Sequence, residues 1–491
     1  MKRFISLLIS LTSNAQEIGL DQRIDEAFQP ISDFFKKYVF YPVSMPFGDY
    51  PFVIYLLVGS ALFFTIYFIF PNVRYLKTAI NVVAGKYDKI EQTNSNATDG
   101  EVSHFQALAT AVSGTVGNGN IAGVALAIAL GGPGATFWMI VCGLLGMSTK
   151  FVECTLGVYY RDVDEDGTVY GGPMYYISKG LKSKGFKTLG TIAASLFAIF
   201  CIGGSFGGGN AAQSNQATIV IKSLLGYEST FAGAVIGMIL AVLVGVIIIG
   251  GIKRIASVTE RIVPFMALLY IIACLYILIL NFSFIDDAFA LIIREAFNPS
   301  AIGAGGLIGV LMIGFQRAAF SNEAGAGSAS IAHSAVKTKY AASEGLVALL
   351  EPFIDTVVIC TMTALVIITF NSTGAFVYGG DGMGGVLIDG IVYEGAGITQ
   401  KAFAQYIPGS DIFLTIAVVL FAVSTMISWS YYGLQSWKFL FGRGKAADLT
   451  YKILFLVFVV IGAAASMNSI WAFSDAMIFA MVFPNLSLIH I

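Results

Sequence analysis

Eleven stretches of this chain are long enough and apolar enough to cross a lipid bilayer as helices. A helix needs about 20 mostly apolar residues to span the hydrocarbon core. We number the qualifying segments 1 to 11 in chain order: 51–70, 104–131, 134–160, 188–220, 229–250, 262–282, 304–335, 346–370, 411–430, 450–466 and 470–491. Because lipid cannot hydrogen-bond the backbone, each crossing must satisfy its own peptide groups as a helix. The sequence therefore predicts an all-α polytopic membrane protein with 11 transmembrane helices.

The composition argues against several other classes of protein. Of the 491 residues, 56% are hydrophobic and 12% are charged, about half the charged share of an ordinary soluble domain. The net charge is −2, and no basic patch indicates a nucleic-acid partner. The five cysteines all lie in apolar segments and the three histidines are scattered, so we expect neither disulfides nor a metal centre. No nucleotide-binding loop and no cluster of His and Glu residues occurs, so we expect neither ATP hydrolysis, nor an enzyme, nor an organic cofactor.

The Lys and Arg residues are divided unevenly between the two sides of the predicted membrane. Nineteen fall in one alternating set of connections, from Arg74 to Lys452, and six fall in the other set, from Arg23 to Lys401. The side richer in Lys and Arg faces the cytoplasm. We therefore expect a multi-pass protein of a bacterial-type plasma (inner) membrane, with its N-terminus outside and its C-terminus in the cytoplasm.

The two ends of the chain carry their own signals. Residues 1–15 combine a basic start, a short apolar run and a small-residue cleavage site, which predicts a signal peptide; a retained interfacial helix is the alternative. Residues 16–50 are expected to form an external amphipathic segment, with an apolar face of Ile24, Phe28, Ile31, Phe34 and Phe35. Segment 11 breaks at Pro484 and ends without a basic tail. We therefore expect a truncated or chimeric C-terminus and assign no function to His490.

Two of the predicted spans are interrupted at membrane depth by glycines and polar residues. Segment 2 reads Ala111-Val-Ser-Gly-Thr-Val-Gly-Asn-Gly-Asn-Ile-Ala-Gly123, and segment 7 reads Gly314-Phe-Gln-Arg-Ala-Ala-Phe-Ser-Asn-Glu-Ala-Gly-Ala-Gly-Ser328. Unwound backbone is tolerated at this depth only where protein or a watery cavity satisfies it. Close helix packing is the alternative use of such glycines, but packing alone does not require the polar side chains among them.

The two broken segments stand five spans apart, each at the head of a set of five. Segments 2–6 cover residues 104–282 and segments 7–11 cover residues 304–491, behind one extra first helix at 51–70. An odd number of helices gives the two sets opposite topology. This arrangement predicts an inverted-repeat transporter, in which half-helix N-termini face an anionic substrate group and unwound carbonyls coordinate Na⁺.

Further polar side chains lie at membrane depth. Segment 4 carries several amides, of which Gln213 is the candidate substrate contact; hydrogen bonding between helices is the alternative reading. Segment 9 carries the adjacent hydroxyls of Ser424 and Thr425. Na⁺ is a hard cation that prefers oxygen ligands, so this pair is a candidate ion site. A single Ser or Thr would more often bond back to its own helix.

Ionisable residues at membrane depth are costly unless they are paired, and each is a functional candidate. They are Glu153, Arg317, Glu323, Glu351, Asp355 and Asp475. Arg317 and Glu323 flank the interruption of segment 7, and we expect them to pair with each other or with Glu153 as structural or gating ion pairs. A direct contact between Arg317 and an acidic substrate is the alternative.

Several long motifs occur together and in order along the chain. They are Gly114-Thr-Val-Gly-Asn-Gly-Asn-Ile-Ala-Gly-Val-Ala125, Ala129-Leu-Gly-Gly-Pro-Gly134, Lys150-Phe-Val-Glu-Cys-Thr155, Gly171-Gly-Pro-Met-Tyr-Tyr176, Ser321-Asn-Glu-Ala-Gly325 and Ser428-Trp-Ser-Tyr-Tyr-Gly433. In these motifs the chain resembles the alanine-or-glycine:cation symporter family from about residue 24 to segment 11. Asn118 stands where the family more often has Thr, which bears on selectivity.

The resemblance implies a fold, an activity and a set of site residues. The fold is a leucine-transporter-type five-plus-five inverted repeat behind one extra N-terminal helix, and the activity is Na⁺-coupled uptake of alanine or glycine. By motif, Gly117, Asn118 and Gly119 would hold the substrate carboxylate. A break over Phe315–Asn322 would shape the remaining pocket, with the implied contacts Gln213, Phe315, Gln316, Phe320, Ser321, Asn322 and Trp429. The implied sodium neighbourhood consists of Ser113, Thr115, Val116, Ala422, Ser424 and Thr425.

Three other functions remain as alternatives at this stage. A proton-coupled symporter would keep a titrating carboxylate at its ion site, whereas the candidates above are neutral oxygens. A symporter of different selectivity would use the same fold for another amino acid or small carboxylate. A channel would show ion currents without saturable substrate uptake. The partners expected are a small neutral amino acid, Na⁺ and the lipid bilayer; the sequence does not predict an oligomeric state.

Overall fold

The computed structural model describes residues 20–45, 48–92, 100–226, 229, 231–298, 306–380, 382–487 and 489. The expectations for residues 1–15 and for His490 lie outside these ranges. The described part is mostly helical, with three small antiparallel hairpins. Their strands are Pro42–Met45 with Gly48–Pro51, Asp162–Val163 with Val169–Tyr170, and Val386–Ile388 with Ile391–Tyr393.

Each predicted segment corresponds to one helix or to a run of consecutive helices. In chain order these are Phe52–Tyr67; His104–Thr115, Gly119–Gly123 and Val124–Gly131; Gly134–Tyr159; Lys187–Phe206, Gly207–Ala211 and Ala212–Leu225; Ala232–Ile248; Gly251–Leu280; Gly306–Asn322 and Ala329–His333; Ala341–Ala348, Leu350–Pro352, Phe353–Cys360 and Thr361–Phe370; Ser410–Phe441; Lys445–Ala464; and Met467–Leu486. Connecting helices outside the segments are Leu20–Val39, Pro71–Arg74, Leu76–Val83, Asp88–Gln92, Pro173–Ser183, Phe282–Phe284, Ile285–Phe297, Asn371–Thr373 and Ala396–Tyr406.

Seven helical stretches of the described chain have the length and apolarity of a membrane span. An eighth is added when His104–Thr115 and Gly119–Gly131, bent by 49° at their junction, are taken as one span. Phe52–Tyr67 and Ala232–Ile248 are apolar but shorter, with 16 and 17 residues. The multi-pass character is therefore confirmed, and the count of eleven spans stays a prediction.

The helices differ strongly in how far the protein encloses them. In Met467–Leu486, 89% of the most apolar stretch is buried within the protein, against 28% in Lys445–Ala464. Segment 11 is thus a core helix, whereas segment 10 leaves most of its apolar side chains on the outer surface. Such an outer surface suits lipid, which needs no polar covering.

The predicted amphipathic segment is the helix Leu20–Val39, which packs against segment 11. Phe28 is buried and meets the ring of Phe473 edge-on, with 5.1 Å between ring centroids. Of the other residues expected on the apolar face, Ile31 and Phe34 are exposed. The contact with segment 11 therefore covers only part of that face.

Both expected interruptions exist, but the second lies later in the chain than predicted. Segment 2 leaves its α-helix at Val116, which is extended (φ −73°, ψ 91°), and resumes as the π-helix Gly119–Gly123. The expected break over Phe315–Asn322 is wrong, because those residues complete the helix Gly306–Asn322. The chain unwinds after it, where Glu323, Gly325 and Gly327 take positive φ values of 57°, 93° and 83°. Glycine readily adopts that conformation, so the two glycines set where the helix stops.

Candidate functional site

The break in segment 2 is buried and tied to segment 4. The backbone N–H of Asn118 donates to Oε1 of Gln213 at 3.0 Å, and Nδ2 of Asn118 donates to the Gln213 carbonyl at 3.2 Å. Nε2 of Gln213 donates to the carbonyl of Gly208 at 2.9 Å, within the π-helix Gly207–Ala211. Oδ1 of Asn118 is fully buried and has no hydrogen-bond partner among the described residues. The break therefore presents one free acceptor, and Gln213 spans two irregular backbones.

The other side of the same break faces segment 9. Oγ of Ser113 donates to the carbonyl of Ser424 at 2.7 Å, and Oγ1 of Thr425 donates to the carbonyl of Ser113 at 3.1 Å. A side chain added at Gly117 would collide with Oγ1 of Thr425. Residues more than 300 positions apart in the chain therefore meet at the unwound backbone, with Val116 buried beside them.

Not every residue of the expected sodium neighbourhood directs its side chain into that contact. Oγ1 of Thr115 bonds back to the carbonyls of Ala111 and Val112 at 3.3 and 3.4 Å. Oγ of Ser424 bonds back to Phe421 in its own helix at 2.9 Å. These hydroxyls follow the ordinary pattern for Ser and Thr within a helix. Ala422 is buried one turn from Thr425 and has only its carbonyl oxygen to offer a cation.

Two aromatic residues lie beside the glycines of segment 4. The ring of Trp429 lies so close to Gly209 that no β-carbon would fit there, and its Nε1 donates to Oε1 of Glu323 at 2.8 Å. Phe320 lies against Gly208 and stacks on Trp471, with 5.0 Å between ring centroids and 25° between ring planes. Both rings therefore pack onto glycines, which have no side chain to hold them off.

Segment 8 contacts both segment 7, through Ser321 and Asn322, and the break of segment 2. Oγ of Ser321 donates to Oδ2 of Asp355 at 2.9 Å, and Nδ2 of Asn322 donates to Oγ1 of Thr356 at 2.9 Å. Nδ2 of Asn120, from the segment 2 break, also donates to Oδ1 of Asp355 at 2.6 Å. Asp355 was recognised in the sequence as an ionisable residue at depth but not as part of this site. Sequence separation hid the contact, and its position in an apolar span was the only signal.

The remaining expected pocket residues lie elsewhere. The ring of Phe315 faces Trp138 of segment 3, with 6.4 Å between centroids, rather than the segment 2 break. Nε2 of Gln316 donates to Oδ2 of Asp475 at 3.1 Å. Gln316 lines a cavity of about 450 Å³ together with Arg317, Asp475, Lys36 and Trp471, among other residues. Phe315 therefore packs against segment 3, and Gln316 bonds to segment 11.

The expected ion pairing among Arg317, Glu323 and Glu153 is corrected by the structure. Arg317 pairs with Asp475, because segment 11 runs beside segment 7 at this level. Glu323 instead accepts hydrogen bonds from Trp429 and from Ser328. Glu153 accepts from Nδ2 of Asn485 at 2.6 Å. Only the Arg317 pair is ionic; the other two carboxylates are held by neutral donors.

A second buried cluster contradicts the expectation that His and Glu do not gather. Nδ1 of His104 and Nδ1 of His333 each lie 2.5 Å from an oxygen of Glu344. Nε2 of His333 lies 3.7 Å from Glu351, which accepts from Nζ of Lys150 at 2.9 Å. Lys150, counted above among the connections, is fully buried inside Gly134–Tyr159 and neutralised by Glu351. Among the described residues, no group of His, Cys, Asp and Glu has an arrangement that would hold a metal ion.

These features define a class of protein. Packed apolar helices enclose a buried polar site built on broken helices, which is the construction of a membrane carrier of the leucine-transporter type. The chain belongs to the sodium:alanine symporter family, whose family model matches residues 34–491.

Named relatives match this chain over most of their own length but carry different substrate names. The sodium/alanine symporter AgcS of Methanococcus maripaludis is 40% identical over 438 residues, which cover 89% of this chain and 90% of the relative. The probable sodium/glutamine symporter GlnT of Bacillus subtilis is 33% identical over 436 residues, covering 88% of this chain and 84% of the relative. Amino-acid transport coupled to sodium is therefore the family activity.

Solved structures support the fold at much lower identity. The crystal structure of MhsT in complex with L-phenylalanine superposes with a TM-score of 0.54 at 15% identity, covering 80% of this chain and 89% of that chain. A manganese transporter of Eremococcus coleocola superposes with a TM-score of 0.51 at 12% identity, covering 78% and 76%. Both are transporters of the leucine-transporter fold, and the likeness concerns the fold alone.

Proposed function

We propose that this protein imports a small neutral amino acid, alanine or glycine, by sodium symport with alternating access. The observation that carries the proposal is the reciprocal contact between Ser113 and the pair Ser424–Thr425 at the unwound part of segment 2. It brings hydroxyl and carbonyl oxygens from two distant spans to a break in a helix. Hard oxygen ligands at unwound backbone suit a sodium ion.

The proposed sodium site uses neutral oxygens of segments 2 and 9. Thr425 offers a hydroxyl, and Val116 and Ala422 offer carbonyl oxygens; Ser113, Thr115 and Ser424 complete the neighbourhood. Because these ligands carry no charge, the site does not change its charge over the physiological pH range. Sodium occupancy would draw segments 2 and 9 together, and so couple the ion to the position of the break.

The proposed substrate site lies at Gly117, Asn118 and Gly119. Amide oxygens hold two of the three N–H groups: Oδ1 of Asn120 accepts from Gly117 at 2.8 Å, and Oε1 of Gln213 accepts from Asn118. An incoming carboxylate would replace these oxygens with charge-assisted bonds, which are stronger than bonds between neutral groups. The unpartnered Oδ1 of Asn118 is then available to accept from the substrate ammonium group.

The preference for alanine or glycine rests on the space between the aromatic rings. Trp429 and Phe320 both pack onto glycines of segment 4. We propose that they, with Gln213, Ser321 and Asn322, bound a pocket too small for a long side chain. Phe315 and Gln316 act in this proposal on the approach to the site.

We propose the full architecture on the same grounds. Segment 7 consists of two helices of 17 and 5 residues, each too short to span alone. Taken as one broken span, and added to the eight spans and the two shorter apolar helices, it brings the total to the eleven predicted. Segments 2–6 and 7–11 then form two inverted repeats behind segment 1. The Lys and Arg distribution places the N-terminus outside and the C-terminus in the cytoplasm of a bacterial-type inner membrane.

Two charged clusters bracket the site and suit the two gates that alternating access requires. Arg317 and Asp475 close the 450 Å³ cavity on the proposed outer side. His104, His333 and Glu344 tie the start of segment 2 to the end of segment 7 on the proposed inner side. Each cluster joins segment 2 or 7 to another helix, so its opening would release one end of a broken helix.

The test is uptake of labelled alanine and glycine into proteoliposomes that contain the purified protein. We expect saturable uptake driven by an inward Na⁺ gradient. Uptake that continues unchanged when K⁺ or choline replaces Na⁺ at fixed pH would refute the sodium assignment. Competition by a panel of amino acids, with and without Na⁺, separates alanine and glycine from glutamine and acidic substrates. Currents without saturable uptake would favour the channel alternative.

A further inference from the structure

The helix Leu20–Val39 lies outside the two proposed repeats and is bonded to the start of segment 11. Oδ1 of Asp25 accepts from the backbone N–H of Ser466 at 3.0 Å and from its hydroxyl at 2.8 Å. Ser466 is the N-cap of the helix Met467–Leu486. A carboxylate is favourable at a helix N-terminus, so this contact ties the N-terminal helix to segment 11.

Further contacts follow along the same two helices. Oγ of Ser32 donates to the carbonyl of Ser469 at 2.9 Å. The rings of Phe28 and Phe35 both meet the ring of Phe473, with 5.1 and 6.1 Å between centroids. The bonded stretch thus extends over about three turns of the N-terminal helix. We therefore expect this helix and segment 11 to move together.

The same helix brings a cation to the outer gate, the name used below for the pair of Arg317 and Asp475. Lys36 lies in the last turn of the helix and is exposed. It lines the cavity of about 450 Å³ together with both residues of the gate. It is near enough for its charge to act on the Asp475 carboxylate.

The carboxylate of Asp475 is engaged through only one of its oxygens. Oδ2 pairs with Arg317 and accepts from Nε2 of Gln316 at 3.1 Å. Oδ1 is buried and has no hydrogen-bond partner among the described residues. Asp475 therefore keeps one oxygen available for a second cationic donor.

The two residues of the outer gate belong to helices that separate when the gate opens in the proposed function. Arg317 lies in Gly306–Asn322 of segment 7, whereas Asp475 lies in segment 11. A buried carboxylate that loses its counter-charge is strongly destabilised. Lys36 would not leave with Arg317, because its helix is bonded to segment 11.

We propose that Lys36 is the second partner of Asp475 and takes over its carboxylate when Arg317 moves away, so that the N-terminal helix eases the opening of the outer gate. The inference rests on the proposed function and adds a positioning residue to it. Arg317 keeps a partner of its own, since its guanidinium lies 5.6 Å from the ring centroid of Phe320 on the same helix. Neither charge is then left bare in the open state.

The test is the accessibility of Cys360 to a membrane-impermeant methanethiosulfonate reagent, added to intact cells that express the protein. Cys360 is buried, with its Sγ 3.5 Å from Oγ of Ser321 beside the proposed substrate site. Its labelling from outside, measured by peptide mass mapping and absent in Cys360→Ala, therefore reports how often the outer gate opens. A charge pair in a solvated cavity contributes a factor of about two to five, so Lys36→Gln should slow the labelling about two- to fivefold.

The matched control is Lys37→Gln. Lys37 occupies the same last turn and carries the same charge, but its ammonium lies over the ring of Tyr38, 5.9 Å from the centroid. It should label at the wild-type rate, and Lys36→Arg, which keeps the charge, should do so too. In an Asp475→Asn background Lys36→Gln should have no further effect, because its partner is already neutral.

Alanine uptake by the same cells gives a second measurement that does not depend on the cysteine. A smaller open population weakens the apparent affinity by the same factor, so Lys36→Gln should raise the alanine concentration for half-maximal uptake about two- to fivefold. Thermal unfolding of the purified variant should match the wild type, which separates a role in gating from a role in folding. If Asp475→Asn does not fold, the three lysine variants decide the question by themselves.

The other outcomes overturn the inference or the proposed function, and they can be told apart. Labelling and uptake of Lys36→Gln equal to the wild type would show that Lys36 does not act on the gate. An equal effect of Lys37→Gln, or an effect of Lys36→Gln that persists in Asp475→Asn, would also exclude the exchange of partners. Each of these results leaves sodium symport intact, whereas absence of Na⁺-driven alanine uptake by the wild type contradicts the proposed function itself.

Discussion

The substitution Gly117→Ala tests the contact on which the sodium site depends. Its β-carbon would overlap Oγ1 of Thr425 and would stand 3.1 Å from Oε1 of Gln213 and 3.3 Å from the β-carbon of Thr425. The backbone of Gly117 has no positive φ, so contact rather than backbone strain decides the effect. Overpacking of this kind costs about 1–3 kcal/mol, offset by about 0.4–1 kcal/mol from the lower entropy of the unfolded chain. We expect a net loss of up to about 2.5 kcal/mol and weaker Na⁺-dependent alanine binding.

The added β-carbon would overlap one identified atom, Oγ1 of Thr425, so a double variant that removes this atom tests the prediction more sharply. Thr425→Ala alone removes Oγ1 and leaves the carbonyl of Ser113 without its donor, at a cost of about 1–3 kcal/mol. In Gly117→Ala/Thr425→Ala the overlap disappears, and the stability should exceed the additive value by at least about 1 kcal/mol. Na⁺ affinity should not recover, because the proposed hydroxyl ligand is still missing.

The measurements are thermal or denaturant unfolding in detergent and alanine binding at varied Na⁺. Gly59→Ala is the matched control, since Gly59 lies in the apolar helix Phe52–Tyr67 with no atom within 4 Å of an added β-carbon. It should be neutral or stabilising by up to about 1 kcal/mol. Additive losses in the double variant, or Gly117→Ala behaving like the control, would refute the contact between segments 2 and 9.

Three further predictions concern the charged groups around the site. Asp475→Ala leaves Arg317 buried without its counter-charge and should destabilise the protein by about 3–5 kcal/mol. Asp389→Asn removes the charge from an exposed pair and suits the positive φ of 52° at that position, so it should cost less than about 1 kcal/mol in the same unfolding assay. Equal losses would contradict the buried pairing. Trp429→Phe keeps an aromatic ring but removes the indole N–H that donates to the buried carboxylate of Glu323. We expect the free energy of unfolding to fall by about 1.5–3 kcal/mol and alanine binding to weaken. Unchanged stability would exclude that hydrogen bond. Glu344→Gln weakens the link between His104 and His333. The first turn of segment 2, which begins at His104, should then exchange its amide hydrogens faster. Unaltered exchange would mean that this cluster does not hold the start of the helix.

The buried contacts hold the two broken helices, segments 2 and 7, at separate points. Segment 2 is held at its start by His104 and at its break by Gln213 and Thr425, while segment 7 is held at Arg317 by Asp475. Because the two helices are unwound in the middle, their halves can move separately without breaking a continuous ladder of backbone hydrogen bonds. In the proposed function, substrate and sodium bind at the point where those halves meet, and so they would bias both ends at once.

The sequence by itself determined that this protein lies in a membrane and that its candidate site is built on interrupted helices. Apolar runs of span length are a local property, and they predicted the bounds of some membrane helices closely, as in Gly134–Tyr159. Other helices extend beyond their apolar run, as in Ser410–Phe441, which was expected at 411–430. Glycines and amides at membrane depth likewise located the break in segment 2, because a poor helix former destabilises the helix at its own position. The break in segment 7 was misplaced because Gly306–Asn322 stays helical until Glu323, Gly325 and Gly327 take positive φ.

Only the tertiary structure decided which distant side chains meet. Arg317 was assigned the wrong partner, because its neighbour Asp475 is 158 residues away and the sequence carries no measure of distance in space. Two scattered histidines proved to share Glu344, and Asp355 proved to accept a hydrogen bond from Asn120 at the break of segment 2. The hydrophobicity of a segment can be read from its own residues. The hydrogen-bond and ion-pair partners of a buried charge, in contrast, are the groups that helix packing places within about 3 Å of it. For that reason the membrane fold could be predicted from local composition, and the electrostatics of the site could not.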